Sequence, residues 1–349
     1  MNLDRELRDI LSRYRIPSVS LAVRTDAREV LHATVGHARL DPARPAAEDQ
    51  PYDLASLTKA LAGAPVTAAL VAAGRVSWED PVAAVLADVD PRVTVAHLLA
   101  HSAGYPAWRP LYAEAKDAWG LAETRRLLLG VARRTPLESA PGTAHRYSDL
   151  GFLVLLDLLE TVGEAPFDVL FRERILEPAG IGDLHWGWPG AAATEACPVR
   201  GFVVEGTVHD LNAAALGGVS THAGLFGPAR TVAELAEALM LAALRHPAHA
   251  ALPGRALRQQ WQLTGPGTHR GGWDTVTRDG YTSTGRFFPR DALGHLGYTG
   301  TSVWVVPSRR TTIAVLTNRI HPEDDLTGIR AARPAIHDAV ARMLGWDQE

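Results

Sequence analysis

Apolar residues recur with a helical period at the start of the chain. Leu3, Leu7, Ile10, Leu11 and Tyr14 share one face among Asp, Glu and Arg, which predicts an amphipathic helix. Two runs with a period of two follow, S-V-S-L-A-V-R-T from Ser18 and E-V-L-H-A-T-V-G from Glu29, and the short D-A-R between them predicts an antiparallel hairpin. From Leu57 to Gly74 the period turns helical again. Segments from about 75 to 215, including 121–131 and 150–161, read as helix or loop. A glycine-rich turn, G-G-V-S-T-H-A-G-L-F-G, then leads to a helix expected near Thr231–Leu244, with Thr231 as cap and Glu234 completing a capping box. The stretch 262–294 is glycine-rich and predicts a functional or mobile loop. Two further strands, T-S-V-W-V-V-P and T-T-I-A-V-L-T-N-R-I, are joined by S-R-R, and a last helix is expected near Leu326–Leu344.

Strands at both ends of the chain bracketing a helical middle predict an α/β (α+β) fold. An antiparallel sheet is flanked by the N- and C-terminal helices, with an all-helical lobe inserted. The expected division is a discontinuous α/β lobe, 1–74 with 216–349, and a helical lobe, 75–215. A chain of 349 residues supplies the core this needs.

A net charge of -4 gives no long-range attraction for phosphate backbones or anionic lipid, so nucleic acid is not an expected partner. Cys197 is the single cysteine, which excludes an intramolecular disulfide and a cysteine-based zinc cluster; it reads as a buried apolar group. Gly63, Pro65 and Gly74 interrupt the longest apolar stretch, so no membrane span is expected. The charged first residues do not resemble a signal peptide. A cytoplasmic location is therefore expected, or a periplasmic or secreted one if a leader was removed.

Chemistry enters at Ser56 and Lys59, three residues apart in the apolar run. On a helix they share a face about 5–6 Å apart, so the amine can reach the hydroxyl and, when neutral, take its proton. Only two of the 35 Lys plus Arg are lysines, Lys59 and Lys116. Arginine could not serve here, because it does not deprotonate in proteins. Burial favours the neutral amine, whereas a nearby carboxylate would oppose it. A serine at the first turn also leaves its own N–H available to an oxyanion. In H145-R-Y-S-D-L-G-F, Tyr147 and Asp149 are two apart and can point the same way, the phenol to relay a proton and the carboxylate to hold the amine. In G294-H-L-G-Y-T-G-T, glycines precede a strand whose Tyr298 N–H is a candidate second oxyanion donor. Asn318 and Arg319 at a strand end are candidates either to bind a substrate carboxylate or to form a plain surface salt bridge. His97 and His101 are four apart, but no glutamate lies between them and no third ligand is evident, so they read as structural and no metal is expected. The nine tryptophans read chiefly as core.

Together, S56-L-T-K59, Y147-S-D149 and H295-L-G297, with L98-L-A-H-S-A-G, A140-P-G-T and G217-G-V-S-T-H-A-G-L-F, resemble the serine β-lactamase-like superfamily of class C β-lactamases, D-alanyl-D-alanine peptidases and related carboxylesterases. The likeness spans nearly the whole chain. It implies Ser56 as nucleophile, Lys59 as its base, Tyr147 in the proton work, Asp149 positioning them, and His295 in the third catalytic motif. The N–H groups of Ser56 and Tyr298 would hold the oxyanion. Gly297, Thr299, Asn318, Arg319 and His222 become candidate substrate contacts, with His209 and Asp210 near the site. No cofactor is implied.

Asp149 stands where the superfamily has asparagine, and His295 where it has lysine, which argues against penicillin hydrolysis. The expected activity is that of a serine hydrolase acting through an acyl-serine on a small-molecule or peptide substrate, of carboxylesterase or D-amino-acid peptidase type. The alternative is a penicillin-binding or peptide-sensing protein that acylates without efficient turnover.

Overall fold

Alternation of side chains builds the central sheet. Along Thr311–Thr317, Ile313 and Val315 enter one core while Ala314 and Leu316 enter another. The neighbouring strand Ser18–Thr25 sends Val19, Leu21 and Val23 to the first core and Ala22 to the second. The computed structural model describes residues 2–115, 118–277, 280–323 and 326–348; Lys116 lies outside them. The sheet has seven antiparallel strands in the order Ala43–Pro45, Arg28–Leu40, Ser18–Thr25, Thr311–Thr317, Ser302–Val306, Leu293–Leu296 and Asp274–Thr275. Helices Leu3–Tyr14 and Leu326–Met343 cover one face, and Ala229–Ala243 covers the other. The expected mixed fold is thus observed.

Three expectations are corrected. The helix near 231 begins at Ala229 after Pro228, which already supplies the extended cap conformation. Thr231 falls inside the first turn, and no side-chain cap forms. The run from Leu57 is not α-helical throughout: Lys59–Gly63 is a π-helical turn, and the α-helix proper is Ala64–Ala72. The stretch 75–215 is mostly helix and loop, including Ala122–Arg133 and Asp149–Gly163, but it also carries short strands. His185–Trp186 pairs with Leu225–Gly227, which pairs in turn with Tyr52–Asp53, and Ala196–Cys197 pairs with Phe202–Val203. These pairings satisfy backbone groups where the chain closes against the segment leading to Ser56. One core runs from Leu239 through Leu61 and Leu70 to Leu153 and Leu156, so the helical region packs directly against the sheet's cover. Among the described residues, no helix is long and apolar enough to cross a membrane.

Candidate functional site

Ser56 stands at a strained corner. Strand Tyr52–Asp53 ends in a turn where the Asp53 carboxylate accepts the Ala55 N–H at 2.8 Å, and Ala55 adopts φ 47, a conformation most residues avoid. Three tight backbone bonds follow, from the N–H of Leu57 to Leu54, of Thr58 to Ala55 and of Lys59 to Ser56. The chain then widens into the π-helical turn, a feature that recurs at functional sites. The Ser56 N–H donates to no acceptor among the described residues.

Lys59 is completely buried, and its Nζ is the hub of the site. It donates to Ser56 Oγ at 2.8 Å and to the His222 carbonyl at 3.2 Å, and it lies 2.7 Å from the Asp149 carboxylate. The last contact is an ion pair by distance, with an angle outside that of a well-formed hydrogen bond. The amine also sits 4.9 Å from the centre of the Tyr147 ring. Asp149 is placed by helix Asp149–Gly163, at its first residue, where the helix dipole favours negative charge. Ser148 caps that helix through Gly151 N–H, and its own N–H donates to His101 Nδ1 at 3.0 Å.

The electrostatics settle a point the sequence left open. Burial pushes the Lys59 amine towards neutrality, but the Asp149 carboxylate and Tyr147 outweigh it, and the net shift is upward. The resting group is an ammonium. Tyr147 is raised by burial, against the lowering pull of Lys59, and rests as a neutral phenol.

His295 is buried against this cluster. Burial, then His269 and Lys59, push its imidazole well below the ordinary range, so it supplies no permanent cation in the third motif. Its Nδ1 lies 2.8 Å from the Leu296 carbonyl, which can only accept, so Nδ1 carries the proton and Nε2 a lone pair. His101 has the opposite tautomer, because its Nδ1 accepts the Ser148 N–H. The ring nitrogens of His101, His269 and His295 lie within 4.8 Å of one another, a grouping of the kind that holds metals. The protonated Nε2 of His101 is unsuited to ligation while the Ser148 bond stands. Sequence reasoning missed this cluster: His101 is not on a helix with His97 but beyond its end at φ 53, and His97 caps its own helix. His269 comes from the glycine-rich stretch expected to be a functional or mobile loop, and it reaches His145 at 3.0 Å.

A cavity of about 850 Å³ opens beside Ser56, lined by Tyr147, Asp149, His222, His295, Gly297, Tyr298 and Arg319. Thr299 and Asn318 are not brought to it. The Thr299 hydroxyl bonds the Asp53 carbonyl, and Asn318 bonds Ser18 and the carbonyls of His37 and Ala38. Arg319 donates from Nε to the Tyr298 carbonyl and lies over the Tyr298 ring. His222 bonds Ser220 and Asp210; burial would raise the Asp210 carboxyl, but the His222 imidazole holds it well below the ordinary range. His209 stacks on Tyr298, with ring centres 5.5 Å apart, and Cys197 and Trp108 add to the cavity wall.

An antiparallel sheet with terminal helices on one face, a largely helical region over its cavity edge, and a Ser-x-x-Lys pair on the first buried helical turn define the class of β-lactamase-like folds. The chain belongs to the beta-lactamase family, whose model matches residues 3–336. A relative from Salmonella agona (strain SL483), which carries the provisional name D-alanyl-D-alanine carboxypeptidase, is 29% identical over 87% of this chain and 79% of its own. Among solved structures, a beta-lactamase/D-alanine carboxypeptidase from Pseudomonas syringae superposes with a TM-score of 0.73 at 17% identity, covering 98% of this chain and 97% of that one. EstCE1, described as a hydrolase with promiscuous acyltransferase activity, gives a TM-score of 0.70 at 20% identity, over 97% of this chain and 98% of its own. At these identities the superpositions show the fold, and with the family match they support a hydrolase in the broad sense.

Proposed function

We propose that the protein is a serine hydrolase that passes an acyl group from an ester or amide to water through a covalent acyl-serine at Ser56. The observation that carries this reading is the position of Lys59 Nζ, 2.8 Å from Ser56 Oγ and 2.7 Å from Asp149. Because the resting amine is charged, it takes the serine proton only as it hands one of its own to the Asp149 carboxylate. The Ser56 oxygen then attacks the substrate carbonyl, and the N–H groups of Ser56 and Tyr298 receive the developing oxyanion. Tyr147 donates its phenolic proton to the leaving group and recovers one from Lys59, which regains its own from Asp149. The net movement is the serine proton to the leaving group. Deacylation runs the same path in reverse with water as nucleophile. Proton transfer of this kind contributes about 10²–10⁴-fold to rate.

On this reading the discontinuous lobe, 1–74 with 216–349, carries the nucleophile and the Tyr298 strand, and the region 75–215 contributes Tyr147 and Asp149 across the cavity. A neutral His295 favours esters first, then D-amino-acid peptides, then β-lactams. The peptide assignment draws support from the names of the Salmonella relatives. The test is labelling with a fluorophosphonate alongside assays with a p-nitrophenyl ester, a D-alanyl-D-alanine peptide and a chromogenic cephalosporin. Ser56→Ala should abolish labelling and turnover, and retained labelling would sink the assignment. Stoichiometric labelling by a β-lactam without product release would identify a sensor instead.

A further inference from the structure

The turn from Gly297 to Thr301 joins strands Leu293–Leu296 and Ser302–Val306 at the cavity wall. Four of its carbonyls are held by neighbouring side chains or by the turn itself. Gly297 O accepts from Arg333 Nη2 at 3.3 Å and from the Gly300 N–H at 3.0 Å. Tyr298 O accepts from Arg319 Nε at 2.7 Å, and Thr299 O from the Thr317 hydroxyl at 2.8 Å. Thr301 O accepts from the Gly297 N–H at 2.8 Å and from Arg333 Nη2 at 3.3 Å. The Thr299 and Thr301 hydroxyls in turn bond the carbonyls of Asp53 and Leu54, the residues leading to Ser56. The turn and the nucleophile corner are therefore tied to each other.

Arg333 is the costly member of this set. It comes from helix Leu326–Met343 and is only 6% exposed. No carboxylate lies within 4.0 Å of it among the described residues, and burial pulls its guanidinium down to about 10. A buried cation with no carboxylate partner among the described residues is a burden that an apolar side chain would avoid. Its bonds explain what it does instead. A trans peptide is planar, with its C=O and N–H pointing opposite ways. Holding the Gly297 carbonyl towards the helix therefore fixes the direction of the Tyr298 N–H in the same plane.

We propose that Arg333 is a positioning residue that locks the Gly297–Tyr298 peptide plane, so that the Tyr298 N–H meets the oxygen developing on the carbonyl attacked by Ser56. Arg319 secures the next carbonyl along. This inference rests on the acyl-serine reading above. Such a donor is worth about 10²–10³-fold when removed outright, and loosening its plane should cost about tenfold or more in kcat.

The experiment compares Arg333→Gln and Arg333→Lys with the wild type in steady-state ester hydrolysis, phenylboronic acid inhibition and thermal melting. The boronate adduct on serine places an oxygen where the oxyanion forms. Arg333→Gln should lower kcat at least tenfold, weaken phenylboronic acid by a similar factor and leave KM within about threefold. Arg333→Lys, with one donor group in place of a fork, should fall between it and the wild type. If the glutamine variant does not fold, the lysine variant alone decides by the same parallel loss of kcat and boronate affinity. A smaller fall in kcat for the folded glutamine variant, or a rise in KM with kcat unchanged, would overturn the proposal; the latter would make Arg333 a ground-state substrate contact. Failure of the acyl-serine reading would look different, since the wild type itself would then not be labelled at Ser56.

Discussion

Replacing Asp149 by asparagine keeps the shape of the side chain and removes the charge 2.7 Å from Lys59 Nζ. At that distance and an effective dielectric of about 20, the attraction between the two charges is about 6 kcal/mol. Part of this is offset by the cost of burying both ions, and removing one partner of a buried pair typically costs about 3–5 kcal/mol. The variant has an escape, because burial alone already favours a neutral amine. Lys59 should therefore lose its proton more readily in Asp149→Asn, and the loss of stability should be greatest at low pH, where the amine must be charged. The rate profile follows. In the mechanism proposed above Lys59 takes the serine proton as it passes one of its own to Asp149, so wild-type acylation does not wait for a neutral amine. In the variant the sole acceptor is Lys59 itself, in whatever fraction is neutral. The acid limb of acylation should move to higher pH, with a loss of about 10²-fold or more at pH 6 and recovery to within about tenfold at pH 9. The burst of p-nitrophenol from p-nitrophenyl acetate, followed by stopped flow from pH 5 to 9.5, measures this directly. A variant profile that overlays the wild type after scaling by one constant would refute the role given to Asp149.

Tyr147→Phe should separate substrates by their leaving groups. An amide needs its nitrogen protonated, so hydrolysis of a D-amino-acid peptide should fall by about 10²–10⁴-fold, while a p-nitrophenyl ester, whose leaving group departs as the anion, should lose far less; equal losses on both would count against Tyr147 as the acid. Stability should also fall on acidification because buried neutral imidazoles resist protonation. His269 and His337 are pushed down to about 4 chiefly by burial, and His101 and His295 well below the ordinary value. The unfolded chain binds these protons near pH 6.5 and the folded protein does not, so stability is retained above about 6.5 and lost as pH drops towards 4, at roughly 3 kcal/mol for each group shifted that far. Urea unfolding at pH 7.5 and pH 5 should show the midpoint falling, and an unchanged midpoint would contradict the neutral assignment of these imidazoles.

Much of the fold was legible because the sheet obeys a period of two with both faces buried. Ile313 and Val315 against Ala314 and Leu316 leave one register open, and the hairpin that begins at Ser18 is marked by the same alternation. The pairs Ser56/Lys59 and Tyr147/Asp149 stood out as candidates because lysine is scarce and each spacing is local; that the two pairs meet around Lys59 Nζ is visible only in the structure. The misreadings have a common physical origin. Thr231 and Glu234 form a good capping pattern, but Pro228, delivered by a three-residue strand, starts the helix earlier. Asn318 looked like a free polar group at a strand end, yet the neighbouring strands consume its amide. His101, His269 and Arg333 were invisible as partners of the site, because they are 168 and 64 residues apart in sequence order and only tertiary packing brings them near Ser56.

The charge state of the site follows from which groups share its buried volume. Lys59 is the cation in contact with Ser56, and it keeps its proton because Asp149 lies beside it. That retained charge helps hold the surrounding imidazoles neutral, since His101, His269 and His295 each feel Lys59 as a lowering influence after burial. The two departures from the superfamily pattern are therefore coupled. A carboxylate at 149 maintains the charged lysine, and a lysine at 295 would place a second cation in the volume where His295 now sits uncharged. The influence of the Lys59 charge can be removed at every pH by Lys59→Met, in which the histidines lose one of the forces keeping them deprotonated. Their pKa values should rise towards the ordinary range in Lys59→Met, by less than burial lowers them, and imidazole resonances followed by NMR across pH 3 to 7 would detect the change. Histidine titrations identical in wild type and variant would show that the lysine charge and the imidazoles are independent, and the coupling between positions 149 and 295 would have no electrostatic basis.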